Sequence, residues 1–477
     1  SVAKEVPLET KVTNTTCSYC SVGCSLQVES CGSMLIKSNP DKNGAVNKGL
    51  LCGKGKWGFD CSVLEGKLTK PLIKDGDKFR ECSYDEAIVL VAKKAESIAT
   101  KYGKDSVAVS ISDRFTNEEA SVIKKLADAM GAKTLCFNHV ESGLKKVLGV
   151  DKSPNDMDEL LSTNVILVFG YIMEKNPVVQ LKLKQAAENG AKVYVINPVG
   201  VEVVNFAEKV IYTGNNLDAL KEIAKYLVDE KDNLSLTNLL ELKKSLENVF
   251  VSDEIKEVAS AYNNAKKAMI VFQENVSVDA ATMIGNIALV SNHIGAPRDG
   301  IVQIKGKNNS QGLVDMGIDK GIEEMANVKA LLCFGEDPCV LGDDILDNLE
   351  FVMTVDTHMT DTCKNSNVVL PGSGPMSVEG TYTNTDGRVQ FVNKVIDENI
   401  EFNNEELARK IASVYEVDLY KVVTKAPLKE NVVESLVVVG DNVVVDVHKC
   451  CDNLMNVIDN RLPKQAKQSE KVSLAEA

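Results

Sequence analysis

Residues 164–198 set the narrowest limit on what this chain can fold into. NVILVFG is an unbroken apolar run of strand length, PVVQLKLKQAAENG repeats apolar residues at helical spacing, and AKVYVINP is a second apolar run. A strand, a helix and a strand joined this closely make a βαβ crossover, which pairs its strands in parallel. Strands this apolar must be covered on both faces. The alternation recurs along the chain. SYDEAIVLVAKKAESIATKYG reads as a helix capped by Ser83 or Asp85 and stopped by Gly103, and SVAVSIS as a buried strand. TNEEASVIKKLADAMG has a capping-box start and a glycine stop. KAMIVFQ, AATMIGNIALVSNHIG, ALLCFG and EFVMTVDT continue the theme. The pattern predicts an α/β protein with at least two open parallel sheets, whose ligands sit at the carboxyl ends of the strands.

Charge and length exclude some functions. Lys and Arg number 54 against 68 Asp and Glu, so the formal charge is 54 − 68 = −14. Nucleic-acid binding needs a basic face, and anionic lipid also prefers one, so neither partner is expected. No apolar run is long enough to span a bilayer, and no direct membrane insertion is expected. The start, SVAKEVPLETKV, carries no export pattern and lacks an initiator Met, as in a trimmed chain or one segment of a longer polypeptide. With 13 cysteines and no export signal, clustered cysteines read as metal ligands and scattered ones as core residues. The expected compartment is the cytoplasm.

Cys17, Cys20, Cys24 and Cys52 form C-x2-C-x3-C-x27-C. Ser18, Ser21 and Gly23 allow a tight loop in which three thiolates converge, and the fourth arrives from GLLCGKG. Four thiolates suit a [4Fe–4S] cluster. Structural zinc usually draws on two C-x2-C knuckles or adds histidine. Spacing therefore favours iron–sulfur and leaves zinc as the alternative. Cys31, Cys61, Cys82, Cys333, Cys339 and Cys363 read as core thiols, and Cys450–Cys451 is unassigned.

TTCSYCSVGCSLQV followed by AVNKGLLCGKGKWGFD resembles the molybdopterin oxidoreductase superfamily, in particular formate dehydrogenase catalytic subunits and the large iron–sulfur (G) subunit of complex I. ISDRFTNEEASVIKKLADAMGAK, GAKVYVINP, KNNSQGLVDMG, ALLCFGEDP and VDTHMTDTCKNSNVVLPGSGPMSVEGTYTNTDGRVQ extend the likeness, in order, over roughly residues 13–420. The resemblance implies a small N-terminal iron–sulfur domain followed by two doubly wound, mostly parallel α/β domains, one inserted in the other. The expected divisions are a cluster domain at 1–66, a discontinuous α/β domain at 67–145 and 300–425, a Rossmann-like domain at 146–299, and a hairpin and tail at 426–477.

The resemblance also implies roles. Cys17, Cys20, Cys24 and Cys52 hold [4Fe–4S], and Lys54 is the electron-relay lysine between cluster and pterin. Gly170, Gly214, Asn216, Asp218, Asn309, Gly312, His358, Thr362, Gly380, Thr381, Asn384 and Arg388 match positions around a molybdopterin guanine dinucleotide carrying Mo or W. Glycine and asparagine at strand ends are also ordinary turn residues.

Several positions depart from the family pattern. Asn197–Pro198–Val199 stands for D-P-R, Gly170 to Met173 for a G-S-N-P loop, TGNNLD for P-G-T-D, and Gly335–Glu336–Asp337–Pro338 for G-E-N-P. A carboxylate beside a diphosphate opposes binding, and a lost buried arginine removes a bidentate partner worth about 2–5 kcal/mol. In CFNHVESGL, Cys136 keeps the family's metal-ligand distance from Gly143–Leu144, but Phe137 takes the histidine's place and His139 is displaced by two positions. Cys136 therefore reads as a core cysteine first and a Mo or W ligand second. After Gln390 there remain 477 − 390 = 87 residues, too few for the family's pterin-closing domain.

The leading expectation is an iron–sulfur electron-transfer subunit of a larger redox complex of the formate dehydrogenase, NADH dehydrogenase or hydrogenase type, passing electrons through one [4Fe–4S] cluster beside a vestigial pterin site. Its partners would be further iron–sulfur or flavin redox subunits, or an N-terminal ferredoxin-like domain. The alternatives are an active Mo/W formate dehydrogenase-like oxidoreductase using Cys136, and a zinc-stabilised nucleotide-binding or assembly protein without redox chemistry.

Overall fold

The computed structural model describes residues 9–59, 66–197, 205–231, 238–273, 276–342 and 344–415, with Leu236 and Leu419. Cys61, Val199, Cys450, Cys451 and the expected C-terminal hairpin lie outside the described residues.

The first described elements are strands β1 (Lys11–Thr16), β2 (Ser25–Cys31) and β3 (Met34–Pro40), paired antiparallel in that order. Alternate residues of β2 are buried, which matches its apolar alternation. Thr16 pairs with Ser25, so residues 17–24, the three-cysteine stretch, form the loop that joins β1 to β2.

Strands β4 (Leu72–Asp75) and β5 (Lys78–Glu81) begin a second sheet. Helix Tyr84–Tyr102 follows, with Ser83 Oγ accepting from the Glu86 N–H and Gly103 at its end. Strand β6 (Val107–Ile111) leads into helix Asn117–Met130, where the Thr116–Glu119 capping box forms and left-handed Gly131 stops the helix. Strand β7 (Lys133–Leu135) completes this segment.

The chain then leaves that sheet. Strands β8 (Val165–Phe169), β9 (Lys192–Asn197), β10 (Lys209–Tyr212), β11 (Ala268–Gln273) and β12 (Gly300–Ile304) build a parallel sheet of their own, ordered β10-β9-β8-β11-β12. Every residue of β8, β11 and β12 is buried, as expected of strands covered on both faces. Helix Val278–Ser291 carries one charge, at Asp279 in its first turn, and is buried from Ala280 onward.

Strands β13 (Ala330–Phe334), β14 (Phe351–Asp356) and β15 (Val368–Pro371) return to the first α/β sheet, whose order is β5-β4-β15-β14-β13-β6-β7. One α/β domain is thus inserted in the other. A hairpin of β16 (Gly380–Thr383) and β17 (Val389–Val392) follows, then helix Asn404–Val414. Among the described residues no helix is long and apolar enough to cross a membrane.

Strand order reverses between β8 and β11 in one sheet and between β6 and β13 in the other. Such reversals open crevices at the carboxyl ends of the strands. Both crevices border the three-cysteine loop.

Candidate metal centre

A cavity of about 300 Å³ is lined by Cys17, Cys20, Cys24, Cys52 and Lys54, with walls from the loops after β8, β11 and β12. Cys17 and Cys24 are buried, while Cys20 and Cys52 are half-buried. The Cys17 N–H donates to the Cys24 carbonyl at 2.8 Å and closes the loop at its base. Among the described residues no three Cys, His, Asp or Glu side chains converge closely enough for a single metal ion. Zinc would need its sulfurs about 2.3 Å from one point. The four thiols surround a volume instead, as a multi-iron cluster requires.

The loop holds its shape through contacts made late in the chain. Thr385 donates its N–H to the Ser21 carbonyl at 2.8 Å and its hydroxyl to Ser21 Oγ at 2.7 Å. Ser21 Oγ in turn donates to the Lys305 carbonyl at 2.6 Å. Asn384 Nδ2 and Gln390 Nε2 donate to the carbonyls of Val22 and Gly23 at 3.1 and 2.8 Å. Gly23 has φ +73°, and a Cβ there would lie 2.0 Å from Gln390 Oε1. Only glycine fits both the backbone and the space.

Among the described residues, four cations line this cavity, Lys54, Arg114, Lys175 and Lys307, and no lining residue is a carboxylate. The Arg114 guanidinium donates to the Ser18 carbonyl at 2.8 Å. The Asn176 side chain is hydrogen-bonded to the Cys20 sulfur and accepts from Gln273 Nε2 at 3.1 Å. Burial pushes the Cys17 thiol up to about 12 and raises Cys20 and Cys24 as well. Thiols this hard to ionise become thiolates when a metal displaces the proton, so metal loading releases protons. The donor set, the volume and the cationic walls fit a [4Fe–4S] cluster, which is anionic when ligated by four thiolates.

A second cavity of about 340 Å³ lies outside the carboxyl ends of β6, β13, β14 and β15. Tyr19 and Arg114 line both cavities. Its walls carry Glu119 and Asp356, with Arg114 as the cation. Burial holds Glu119 up at about 7 and raises Asp356. Burial thus favours the neutral form of both carboxyls.

The structure brings the four cluster cysteines and Lys54 to one cavity. The twelve residues matched to the pterin nucleotide line neither of the two cavities. Gly170 (φ +86°) has its N–H and carbonyl both bonded to the Asn197 amide, at 2.8 and 3.0 Å. Gly214, Asn216 and Asp218 surround the cap of helix Asn216–Asp229, where Asn215 Oδ1 accepts from the Asp218 N–H. Asn309 joins the Phe115 carbonyl to the Thr383 N–H. A Cβ on Gly312 would strike the side chains of Asn117 and Asn309.

Of the remaining six, all but His358 act as joints. Thr362 gives its N–H and hydroxyl to Asp337 Oδ1, at 2.9 and 2.6 Å, so the extra carboxylate of the GEDP turn is occupied. Gly380 and Thr381 pack on Glu118, which accepts from the Thr381 N–H at 2.7 Å. Asn384 Oδ1 accepts from the Arg388 N–H at 2.9 Å. Three atoms of the matched set, Asn216 Oδ1, His358 Nε2 and Arg388 Nε, are buried without a hydrogen-bond partner among the described residues.

Cys136 is 1% exposed, and its thiol donates to Glu336 Oε1 at 3.6 Å. Burial, Glu336 and Asp113 together hold the thiol well above its ordinary value. His139 is half-buried, and burial followed by the charge of Lys305 lowers it. Of the cysteines read as core thiols, Cys333, Cys339 and Cys363 are buried, whereas Cys31 and Cys82 are half-buried. Sequence reading missed Arg114, Lys175, Asn176, Gln273 and Lys307. Their only signal was position just beyond apolar runs that read as strands.

Residues 67–404 match the molybdopterin oxidoreductase family model, and residues 10–61 match its Fe4S4 domain. The alpha subunit of an F420-dependent formate dehydrogenase 2 from Methanococcus maripaludis is 29% identical, over 82% of this chain and 68% of that protein. The corresponding alpha subunit from Methanocaldococcus jannaschii is 27% identical, again over 82% and 68%. Matches in Bacillus subtilis and Staphylococcus aureus span less than half of those relatives, 47% and 46%. The solved structure of acetylene hydratase from Pelobacter acetylenicus shares the fold, with a TM-score of 0.65 at 16% identity over 84% of this chain and 69% of that one. The Fe4S4 match supports a [4Fe–4S] cluster, and the larger match supports a Mo or W pterin cofactor. With the larger match spanning well over half of its residues, the chain belongs to the molybdopterin oxidoreductase family.

Proposed function

We propose that this chain is the iron–sulfur electron-transfer subunit of a larger redox assembly of the formate dehydrogenase type, with a vestigial pterin site. The observation that carries this reading is a contrast between two sets of thiols. Cys17, Cys20, Cys24 and Cys52 ring one cation-lined cavity, whereas the Cys136 thiol is buried beside Glu336, and burial first and that carboxyl second hold it well above its ordinary value. A [4Fe–4S] cluster on the four thiolates supplies one-electron transfer. The chain's own residues shield the cluster loop from water and surround it with Lys54, Arg114, Lys175 and Lys307. Lys54, exposed and lining the same cavity, is the electron-relay residue of this reading. A single cluster requires neighbours to deliver and collect electrons, so a partner bearing a flavin or further iron–sulfur clusters belongs to the proposal.

The test is elemental analysis of anaerobically purified protein for Fe, sulfide, Mo, W and Zn, with cofactor extraction. About four irons per chain and a cluster signal by electron paramagnetic resonance are expected. Near one Mo or W per chain with extractable pterin would overturn the vestigial reading. A second reading, an active Mo/W oxidoreductase using Cys136, draws on the names of the methanogen relatives. It requires formate-dependent dye reduction that disappears in Cys136→Ala.

A further inference from the structure

Lys182 looks ordinary in the sequence, one of two lysines in the segment QLKLKQ of an amphipathic helix. Lys184 is 53% exposed and faces Glu188, but Lys182 is 2% exposed. Val178 lines the cavity with the four cysteines, and Lys182 lies four residues later, one turn along the same face of helix Pro177–Glu188. The buried residues around it, Val178, Val179, Leu183 and Ala186, share one apolar core with Cys17 and Cys24. Lys182 is therefore rooted in the apolar core that backs the cluster loop.

A buried ammonium is costly unless paired. Its partner is Asp158 Oδ1 at 2.5 Å, and Asp158 Oδ2 takes Lys48 Nζ at 2.8 Å. Lys48 is 57% exposed, so water screens its charge, whereas that of Lys182 is screened little. Stability alone does not explain the arrangement, because apolar replacements of buried ion pairs are often neutral or stabilising.

We propose that buried Lys182, with its half-buried partner Asp158, tunes the reduction potential of the cluster held by Cys17, Cys20, Cys24 and Cys52. Reduction adds one negative charge to the cluster. A cation in the same low-dielectric packing lowers the energy of that added charge and raises the potential. Asp158 opposes Lys182, so the two side chains act with opposite sign. The proposal rests on the assignment of a cluster to the four cysteines.

The test is a redox titration of the full chain, followed by electron paramagnetic resonance, after iron and sulfide have been measured. Lys182→Met, which removes the charge and keeps the volume, is expected to lower the midpoint. A tenfold change in the ratio of reduced to oxidised cluster corresponds to about 59 mV for a one-electron couple. Lys182→Arg keeps the charge and should hold the midpoint near that of the parent. Asp158→Asn should raise it. A fully loaded Lys182→Met protein with an unchanged midpoint overturns the proposal, as does a shift of Lys182→Met and Asp158→Asn in the same direction. If Lys182→Met does not hold iron, Asp158→Asn decides alone, and no rise there overturns the proposal. A parent protein without iron and sulfide overturns the cluster assignment itself, which is seen before any titration.

Discussion

Gln390 Nε2 donates a 2.8 Å hydrogen bond to the carbonyl of Gly23, inside the three-cysteine loop and 367 positions earlier in the chain. The loop is therefore shaped by a hairpin that sits nowhere near it in sequence. Gly23→Ala puts a side chain into left-handed backbone, at about 1–2 kcal/mol, and drives it into Gln390. Iron per chain is expected to fall sharply in this variant, and only partly in Gln390→Ala, which removes the bond without adding bulk. Full iron in Gly23→Ala would show that the loop does not depend on this contact.

The four cysteines should behave as one set. Cys24→Ser is expected to abolish the four-iron signal and the visible absorbance of thiolate-ligated iron. Cys31→Ser, on β2 and outside the cavity lining, should leave both unchanged. Absorbance and resonance spectra of the two variants, prepared side by side, check this.

Asn197 spans Gly170 by donating to its carbonyl and accepting from its N–H. An aspartate here, the family's residue, cannot donate and brings a charge into a site that is 1% exposed. Asn197→Asp is thus expected to destabilise the protein by about 1–3 kcal/mol, read as a lower urea midpoint at constant slope. An unchanged midpoint would show that the Gly170 carbonyl finds another donor.

Glu119 gives a pH dependence of definite sign. Its carboxyl is held at about 7 when folded, chiefly by burial, against an ordinary value of 4.5. A raised folded value means that the native state holds the proton more tightly. Its contribution to stability is fully present below about pH 4.5 and is lost as pH rises through about 7. The loss is on the order of 3 kcal/mol. Glu119→Gln should flatten the fall in stability between pH 5 and 7, whatever offset follows from its bond with Asn404. Parallel slopes for parent and variant in urea melts across that range would contradict this.

Local signals made much of this protein readable before its structure. The Thr116–Glu119 capping box, the Ser83 cap, the Gly103 and Gly131 stops and the apolar runs of β8, β11, β13 and β14 depend on residues a few positions apart. The spacing of Cys17, Cys20 and Cys24 is local too, because one hairpin loop contains them. The glycines and asparagines matched to a nucleotide site were harder to interpret, because the same residue types make turns. Asn309, Asn384 and Gly312 join distant segments, and nothing within a few residues of them announces it.

The sequence by itself determined the order of strands and helices, the parallel class of the sheets and the composition of the cysteine set. Periodicity, capping and ligand spacing are short-range properties of a chain. Only the tertiary structure decided that residues 384–390 close the cysteine loop, that Lys182 is buried while Lys184 is not, and that Cys136 meets Glu336. Burial and charge environment are sums over neighbours contributed by remote segments, so they exist only once the two sheets have brought their carboxyl ends against the same loop.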